Sequence, residues 1–335
     1  MSDLYKKAGV DIDAGSQAVQ LMKEAVRATY TPNVLSDVGN FGGLFSLADL
    51  SGMAHPVLVA SMDGVGTKTK VAARANRWDT IGQDLVNHCI NDILVQGARP
   101  LFFLDYVASD KLQPAQIAAI VNGMAAACSA AGCALLGGET AEMPGVYATG
   151  EVDVVGTIVG VVDKDSVIDG QRISAGDAII AIPSSGLHTN GFTLARAVLE
   201  DFDWAAVQPN LGVPLEDALL AVHRCYLREV MALQRSVDVC GLAHITGGGV
   251  VDNLPRILPS GLGAQIRWDA WDVPALFKLI EEHGDVDALE MARVFNMGLG
   301  MLVIVPAGDA QTALDLVPDA FVVGEIIPGE GVQLV

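Results

Sequence analysis

Apolar positions recur along this chain in two rhythms. Over residues 16–28, Val19, Met22 and Val26 fall on one side of a 3.6-residue repeat, which predicts a helix capped by Ser16 and ended by Pro32. The run HPVLVASMDGVG at residues 55–66 predicts a buried strand running into a glycine turn. The helical repeat returns at residues 80–96 with Ile81, Leu85, Ile90 and Leu94. A strand is expected at 100–108, then an alanine-rich helix at 113–131 with Pro114 in its first turn. Strands at 134–136 and 152–162 flank GGETAEMPGVYATG, read as a loop. Residues 1–15 are polar and glycine-spaced and are expected to form an arm ahead of the first helix.

From 163 to 176 the sequence turns polar and loses its period, which puts a domain boundary there and divides the chain into 1–168 and 169–335. The second half opens with a strand at 178–183, a loop of Gly, Ser, His and Asn, and a helix from Phe192. A strand at 243–246 leads through three glycines into a helix over VVDNLPRIL. Helices at 274–282 and 286–293, a glycine turn at 296–300 and strands at 301–305 and 320–326 complete it. Both halves repeat the order strand, glycine loop, helix. The expected class is α+β, built as two domains of α/β type.

Composition narrows the function. Asp and Glu total 40 against 20 Lys and Arg, a net charge of −20, and no stretch supplies the cationic surface a nucleic-acid groove or an anionic membrane requires. An anionic small molecule is still admissible, because local Lys, backbone N–H groups and a divalent metal bind phosphates inside acidic proteins. The apolar stretch 117–136 is broken by Asn122, Gly123, Ser129 and Gly132 and reads as a buried helix, not a membrane span. Cys89, Cys128, Cys133, Cys225 and Cys240 have neither disulfide-scaffold nor zinc spacing, which fits reduced thiols in a cytoplasm.

Five groups of residues carry candidate chemistry. Asp63-Gly64-Val65-Gly66-Thr67-Lys68 follows a strand; its glycines admit an anion close to the backbone, and Lys68 would neutralise phosphate. The spacing is not that of a P-loop, and an ordinary strand-end turn fits it too. Asn91-Asp92 fall in mid-helix among apolar residues, where a carboxylate must be paired, hydrogen-bonded or on a metal. Gly137-Gly138-Glu139-Thr140-Ala141-Glu142 offers oxygen ligands suited to Mg²⁺, or a polar loop. Ser185-Gly186-Leu187-His188-Thr189-Asn190 places His188 among small hydrogen-bonding residues at a strand-to-helix junction. Gly247-Gly248-Gly249 opens a helix, as a phosphate cradle or a tight helix entry does. Neither HExxH nor GxSxG nor a dinucleotide fingerprint is present. The residues alone point to metal-assisted handling of phosphates, substrate open.

Seven blocks in order, YKKAGVDIDAG, DGVGTK, HCINDILVQGARPLFFLDY, LLGGETAEMPGVY, SSGLHTNGF, HITGGGVVDNLPRILP and FNMGLGM, resemble the phosphoribosylformylglycinamidine cyclo-ligases, the AIR synthetases of purine biosynthesis. The resemblance implies a cytoplasmic homodimer whose N-terminal domains pair sheets into a barrel. It implies conversion of formylglycinamidine ribonucleotide and ATP to aminoimidazole ribonucleotide, ADP and phosphate through an iminophosphate. On that resemblance Asp63, Asp92 and Glu139 would hold Mg²⁺ and the ATP phosphates. Gly64, Gly66, Thr67, Lys68 and Gly138 would contact ATP, and Lys68 would act on the transferring phosphoryl group. Lys68, Asp92 and His188 would be catalytic. His188 and Asn190 would meet the substrate, and Gly247, Gly248 and Gly249 its 5-phosphate. Many relatives pair two basic residues where this chain has Arg27-Ala28, so any role of the second basic group is not carried over. Rival readings are a superfamily kinase or selenophosphate synthetase, the latter disfavoured because no Cys precedes Cys89, and a non-catalytic nucleotide-binding protein.

Overall fold

The computed structural model describes residues 9–335. The chain divides into two compact units, Met1–Ile93 with Ala98–Asp165, and Leu94–Gly97 with Ser166–Val335, so the crossing at Asp165 lies inside the polar stretch 163–176.

The first unit begins with α1 (Ile12–Ala28). Asp11, not Ser16, caps it, its carboxylate accepting from the N–H groups of Asp13 and Ala14; the helix therefore takes in residues expected in the arm. The first eight residues of that arm lie outside the described residues. The strands β1 (Pro56–Gly64), β2 (Arg99–Ser109), β3 (Ala134–Glu142) and β4 (Val152–Asp163) form one sheet in the order β1-β4-β2-β3, with only β2 and β3 parallel. Between β1 and β2 run α2 (Lys68–Ala75) and α3 (Ile81–Leu94), and α4 (Pro114–Ala131) joins β2 to β3. α4 is long and apolar enough to cross a membrane by length and composition, but half of it is buried inside this unit, against α1 and β3. α3 and α4 touch at glycines: a Cβ on Gly123 would come within 2.7 Å of the Asp79 carbonyl, and one on Gly82 would overlap that of Ile120.

Period-two burial gives the sheet two unlike faces. Val59, Phe103, Val107 and Ile158 are buried, whereas Leu58 (58% exposed), Met62 (68%) and Leu104 (37%) stand in the open. Met62, Thr157, Leu104 and Gly137 share one row of that open face.

The expected loop after Leu136 is not a loop. β3 continues through Gly137 and Gly138 to Glu142, because every residue from Gly137 pairs with β2. Ladder hydrogen bonds override the weak strand preference of glycine here, and Gly138 has a packing reason. It lies opposite Asp105, and a Cβ there would overlap the Asp105 carboxylate.

In the second unit β5 (Ala178–Pro183), β6 (Gly241–His244), β7 (Leu262–Ile266), β8 (Leu299–Val305), β9 (Phe321–Pro328) and β10 (Gly331–Leu334) form a sheet in the order β10-β7-β9-β5-β8-β6. Ile179, Ala181, Leu302, Ile304, Val323 and Ile266 fill its core. Helices α5 (Phe192–Val198), α6 (Leu215–Leu219), α7 (Leu227–Gln234), α8 (Gly249–Asn253), α9 (Ala275–Gly284), α10 (Ala288–Val294) and α11 (Ala310–Leu316) connect the strands. The helix expected over VVDNLPRIL splits into α8 and a 3₁₀ turn, Leu254–Ile257, because Pro255 has no N–H to continue the α pattern. All five cysteines are free thiols, and Cys128 and Cys133 are buried as small core residues.

Candidate functional site

In the first unit the end of β1 faces α3. Asp84, His88 and Asp92 recur every four residues along that helix and so share a face. The His88 Nε2 lies 2.9 Å from Asp63 Oδ2 and 3.5 Å from Asp92 Oδ2, and Ser61 Oγ donates to Asp92 at 3.2 Å. Gly64 N–H donates to the other Asp63 oxygen at 2.6 Å. Burial disfavours the charged form of His88, but the hydrogen bond to Asp63 and the charge of Asp92 prevail and raise its pKa. Two carboxylates thus flank one histidine beside a glycine turn. Gly66 takes φ +53°, and Thr67 precedes the first residue of α2.

Lys68 is that first residue, and its side chain turns inward. Its ammonium sits 2.8 Å from Asp84, and both side chains have no solvent exposure. Burial lowers the Lys68 pKa, and Asp84 opposes that shift. The expected phosphate-facing lysine is therefore buried with a carboxylate of its own unit.

Glu139 does not join Asp63 and Asp92 within one chain. Asp63, Gly156, Asp105 and Gly138 form one row across the four strands, so three strand spacings, about 14 Å, separate Asp63 from Gly138. Glu139 is the next residue along and points to the opposite face of the sheet. It lines instead a cavity of about 520 Å³, together with Val19, Met22 and Val26 of α1, the loop 37–43, Asp105 and Gly138. The three apolar residues that predicted α1 from sequence are thus one wall of this cavity. Arg27 holds Asp37 on its rim through Nε and Nη2, one edge of the guanidinium, which keeps the Asp37 carboxyl low, at about 2. Glu142 is structural: it accepts from the N–H groups of Asp11 and Leu112 and so ties α1 to β3.

The second unit gathers the other candidates. His188 lies between β5 and α5, buried, with φ +61°, a left-handed conformation that costs a non-glycine residue about 1 kcal/mol. Ser185 N–H donates to its Nε2 at 3.2 Å, and its ring stacks on His223 with 3.8 Å between centroids. His223 and His244 share a hydrogen bond between Nε2 atoms 3.0 Å apart. The three rings are close enough to consider as metal ligands. Yet the stacked pair lies within 18° of parallel, which aims its lone pairs side by side rather than at one ion. Asn190 Oδ1 is buried with no hydrogen-bond partner, and a Cβ on Gly247 would lie 3.3 Å from Asn190 Nδ2, so the His188 loop meets the triple glycine. Gly248 and Gly249 take φ of +99° and +58°, and Gly249 packs so closely on Ala292 that no Cβ fits. Two of the three glycines are thus required by the backbone. Gly249 N–H closes a turn onto Thr246 at 3.0 Å, so the donors that remain for an anion are those of Gly247 and Gly248. Asn296 stitches the loop from behind, accepting from Ser184 Oγ at 3.0 Å and donating to the Gly186 carbonyl at 2.9 Å.

Sequence reasoning missed Asp84, His88, Asp105, His223 and Asn296. The four-residue spacing of Asp84, His88 and Asp92 was a usable signal; Asp105 and Asn296 carry none outside three dimensions.

Residues 50–162 match the family described as AIR synthase related protein, N-terminal domain, and 174–335 its C-terminal domain. The chain is 53% identical over 326 residues to a phosphoribosylformylglycinamidine cyclo-ligase of Desulfitobacterium hafniense, covering 96% of each. It is 49% identical over 339 residues to that of Geobacter sulfurreducens, covering 99% of this chain and 97% of the relative. The same fold occurs in thiamine-monophosphate kinase from Stenotrophomonas maltophilia (TM-score 0.70, 18% identity, 94% of this chain and 95% of that one). It also occurs in the hydrogenase maturation protein HypE in complex with ATP (TM-score 0.68, 19% identity, 96% and 91%). Identity near one half along the whole chain, with both halves matching, places this protein among the ligases of purine biosynthesis: the chain belongs to the phosphoribosylformylglycinamidine cyclo-ligase family.

Proposed function

We propose that this chain cyclises formylglycinamidine ribonucleotide at the expense of ATP, with Asp63 and Asp92 at the phosphate end of the nucleotide and the 520 Å³ cavity at its base end. The observation that carries the reading is the pair of carboxylates sharing His88 beside the Gly64–Thr67 turn. Hard carboxylate oxygens of this kind suit Mg²⁺, and Asp63 and Asp92 are the residues that would hold it. When bound, the ion neutralises triphosphate charge. Glu139 is assigned to the nucleotide cavity with Gly138.

A formamide oxygen is a poor leaving group. Transfer of the γ-phosphoryl group makes a bond from that oxygen to phosphorus and breaks the bond to ADP. The amidine-side nitrogen then attacks the imino carbon, the carbon–oxygen bond breaks and phosphate leaves with the oxygen. The protein's part is positioning and charge stabilisation. His188 would take the proton of the attacking nitrogen at Nε2, giving up the Ser185 N–H that this lone pair otherwise accepts, with its ring held by the stack on His223. The unpartnered Asn190 Oδ1 would accept from the substrate amide or amine. The amides of Gly247 and Gly248 would hold the 5-phosphate. Lys68 would act on the phosphoryl group only at a distance, through the charge it shares with Asp84.

The open apolar sheet face supports a homodimer, with Leu58, Met62 and Leu104 covered by the same face of a second copy. The acidic surface and reduced thiols fit a cytoplasmic enzyme without nucleic-acid or membrane partners. The test is turnover: ADP and an imidazole amine should form together, only with Mg²⁺, ATP and the formylglycinamidine nucleotide all present. ADP release without the amine would reject the reading.

A further inference from the structure

We propose that Asp105, lining the cavity between two glycines, selects adenine by pairing its carboxyl with the exocyclic amino group and the adjacent ring nitrogen. This rests on the reading of the 520 Å³ cavity as the base site of ATP.

The cavity has the character of a base pocket. Val19, Met22 and Val26 give it an apolar wall, and its size lies in the range of small-molecule sites. Neither Lys, Arg nor His lines it among the described residues, so it offers the triphosphate no cation. Its polar side chains are few. Both oxygens of Asp37 are held by Arg27. That leaves Asn40, exposed on its loop, with Glu139, Thr140 and Asp105.

Asp105 stands where a strand residue has most room. Its neighbours in the row are Gly138 on β3 and Gly156 on β4, and neither has a side chain to cover it. No other side chain among the described residues hydrogen-bonds its oxygens; its own backbone N–H is the one donor near it. The titratable groups around it are the thiol of Cys128 on α4, and Asp37 and Glu139, which line the same cavity. All are neutral or acidic. Burial without a cation pushes the carboxyl up to about 7. The group is therefore about half protonated at pH 7 and more so below it, and a ligand that needs its proton draws it to the neutral form. A protonated carboxyl has one donor and one acceptor side by side, and an ionised one has acceptors only. Adenine presents an N–H₂ donor next to a ring-nitrogen acceptor, whereas guanine puts an oxygen acceptor where adenine has the amino donor. The neutral acid matches the first pattern. Guanine meets it with a mismatch on at least one side.

The test uses the full-length chain with Mg²⁺ and measures Kd for ATP and for GTP by calorimetry between pH 6.5 and 8.5. One bidentate pair separates right from wrong base by about tenfold to a hundredfold. The wild type should prefer ATP by that factor, and its ATP affinity should weaken about tenfold or more on going to pH 8.5. Asp105→Asn keeps a donor and an acceptor and should hold ATP within about threefold, without the pH dependence. Asp105→Leu should lose the preference. Photolabelling with 2-azido-ATP, mapped by peptide, locates the base independently. Label in residues 15–43 or 135–140 together with an unchanged ATP:GTP ratio in Asp105→Leu overturns the role of Asp105 and spares the cavity reading. Label elsewhere overturns the cavity reading itself. Thermal melts of both variants identify loss by misfolding, and the Asn variant then decides.

Discussion

Removing one charge from the Lys68–Asp84 pair separates two roles for that lysine. Both side chains are fully buried and 2.8 Å apart. Deleting either partner leaves an uncompensated charge in the core, at a cost of about 3–5 kcal/mol. Against a typical total of about 5–15 kcal/mol, that is a large share of stability. The expected outcome for Lys68→Met, or for Asp84→Asn, is a fall in the melting temperature of the first unit by roughly 10 °C. The double replacement Lys68→Met with Asp84→Leu removes both charges and keeps the volume, so most of the loss should return. Hydrogen exchange resolved by peptide assigns the change to residues of the first unit. Turnover of the double variant, measured where it remains folded, reads the chemistry. The reasoning is refuted if Lys68→Met stays within about 1 kcal/mol of the wild type while turnover falls a hundredfold or more. Such a result would put the ammonium on the phosphoryl group.

Other outcomes follow from the same geometry. Asp92→Asn should lower turnover at least about a hundredfold with a small change in melting temperature, because its partners Ser61 and His88 can still hydrogen-bond to the amide; a large melting shift with modest kinetic loss would make Asp92 structural. The Asp105 carboxyl rises from 3.8 unfolded to about 7 folded, so its contribution is full below pH 3.8 and lost as pH rises through 7. Urea titrations of wild type and Asp105→Asn should therefore diverge by about 2–3 kcal/mol between pH 5 and pH 8, in favour of the variant at high pH; parallel profiles would mean the carboxyl is not buried as described. If a second copy covers the open sheet face as proposed, Met62→Lys should sediment as a folded monomer where the wild type sediments as a dimer. An unchanged sedimentation coefficient would reject that face as the contact between copies.

Much of this architecture can be read from periodicity. The repeat behind α3 is long, and Ile81, Leu85, Ile90 and Leu94 are buried as its spacing implies, whereas on α1 Val26 is buried and Val19 and Met22 are half-buried cavity wall. Legibility fails where a residue's reason lies on a neighbouring strand. Gly137 and Gly138 look like loop residues, but one is paired in a ladder and the other makes room for Asp105. Helix α2 went unseen because Lys68 and Thr69, polar by type, are two of its buried residues. Short elements such as β7, β10 and α11 carry too few residues for a period to emerge. Within the site, Asp63 and Asp92 were legible as acids out of place, and the structure joins them through His88. The grouping of Glu139 with them was not legible, since sequence holds no record of which sheet face a residue takes once the strand's extent is misjudged.

One measurement bears on the whole account most directly: quantifying ADP and imidazole amine in the same reaction, for the wild type and for Asp92→Asn. The account predicts one amine per ADP in the wild type, absolute dependence on Mg²⁺, and loss of both products together in the variant. ADP formed without the amine, or a variant that retains both, would contradict it.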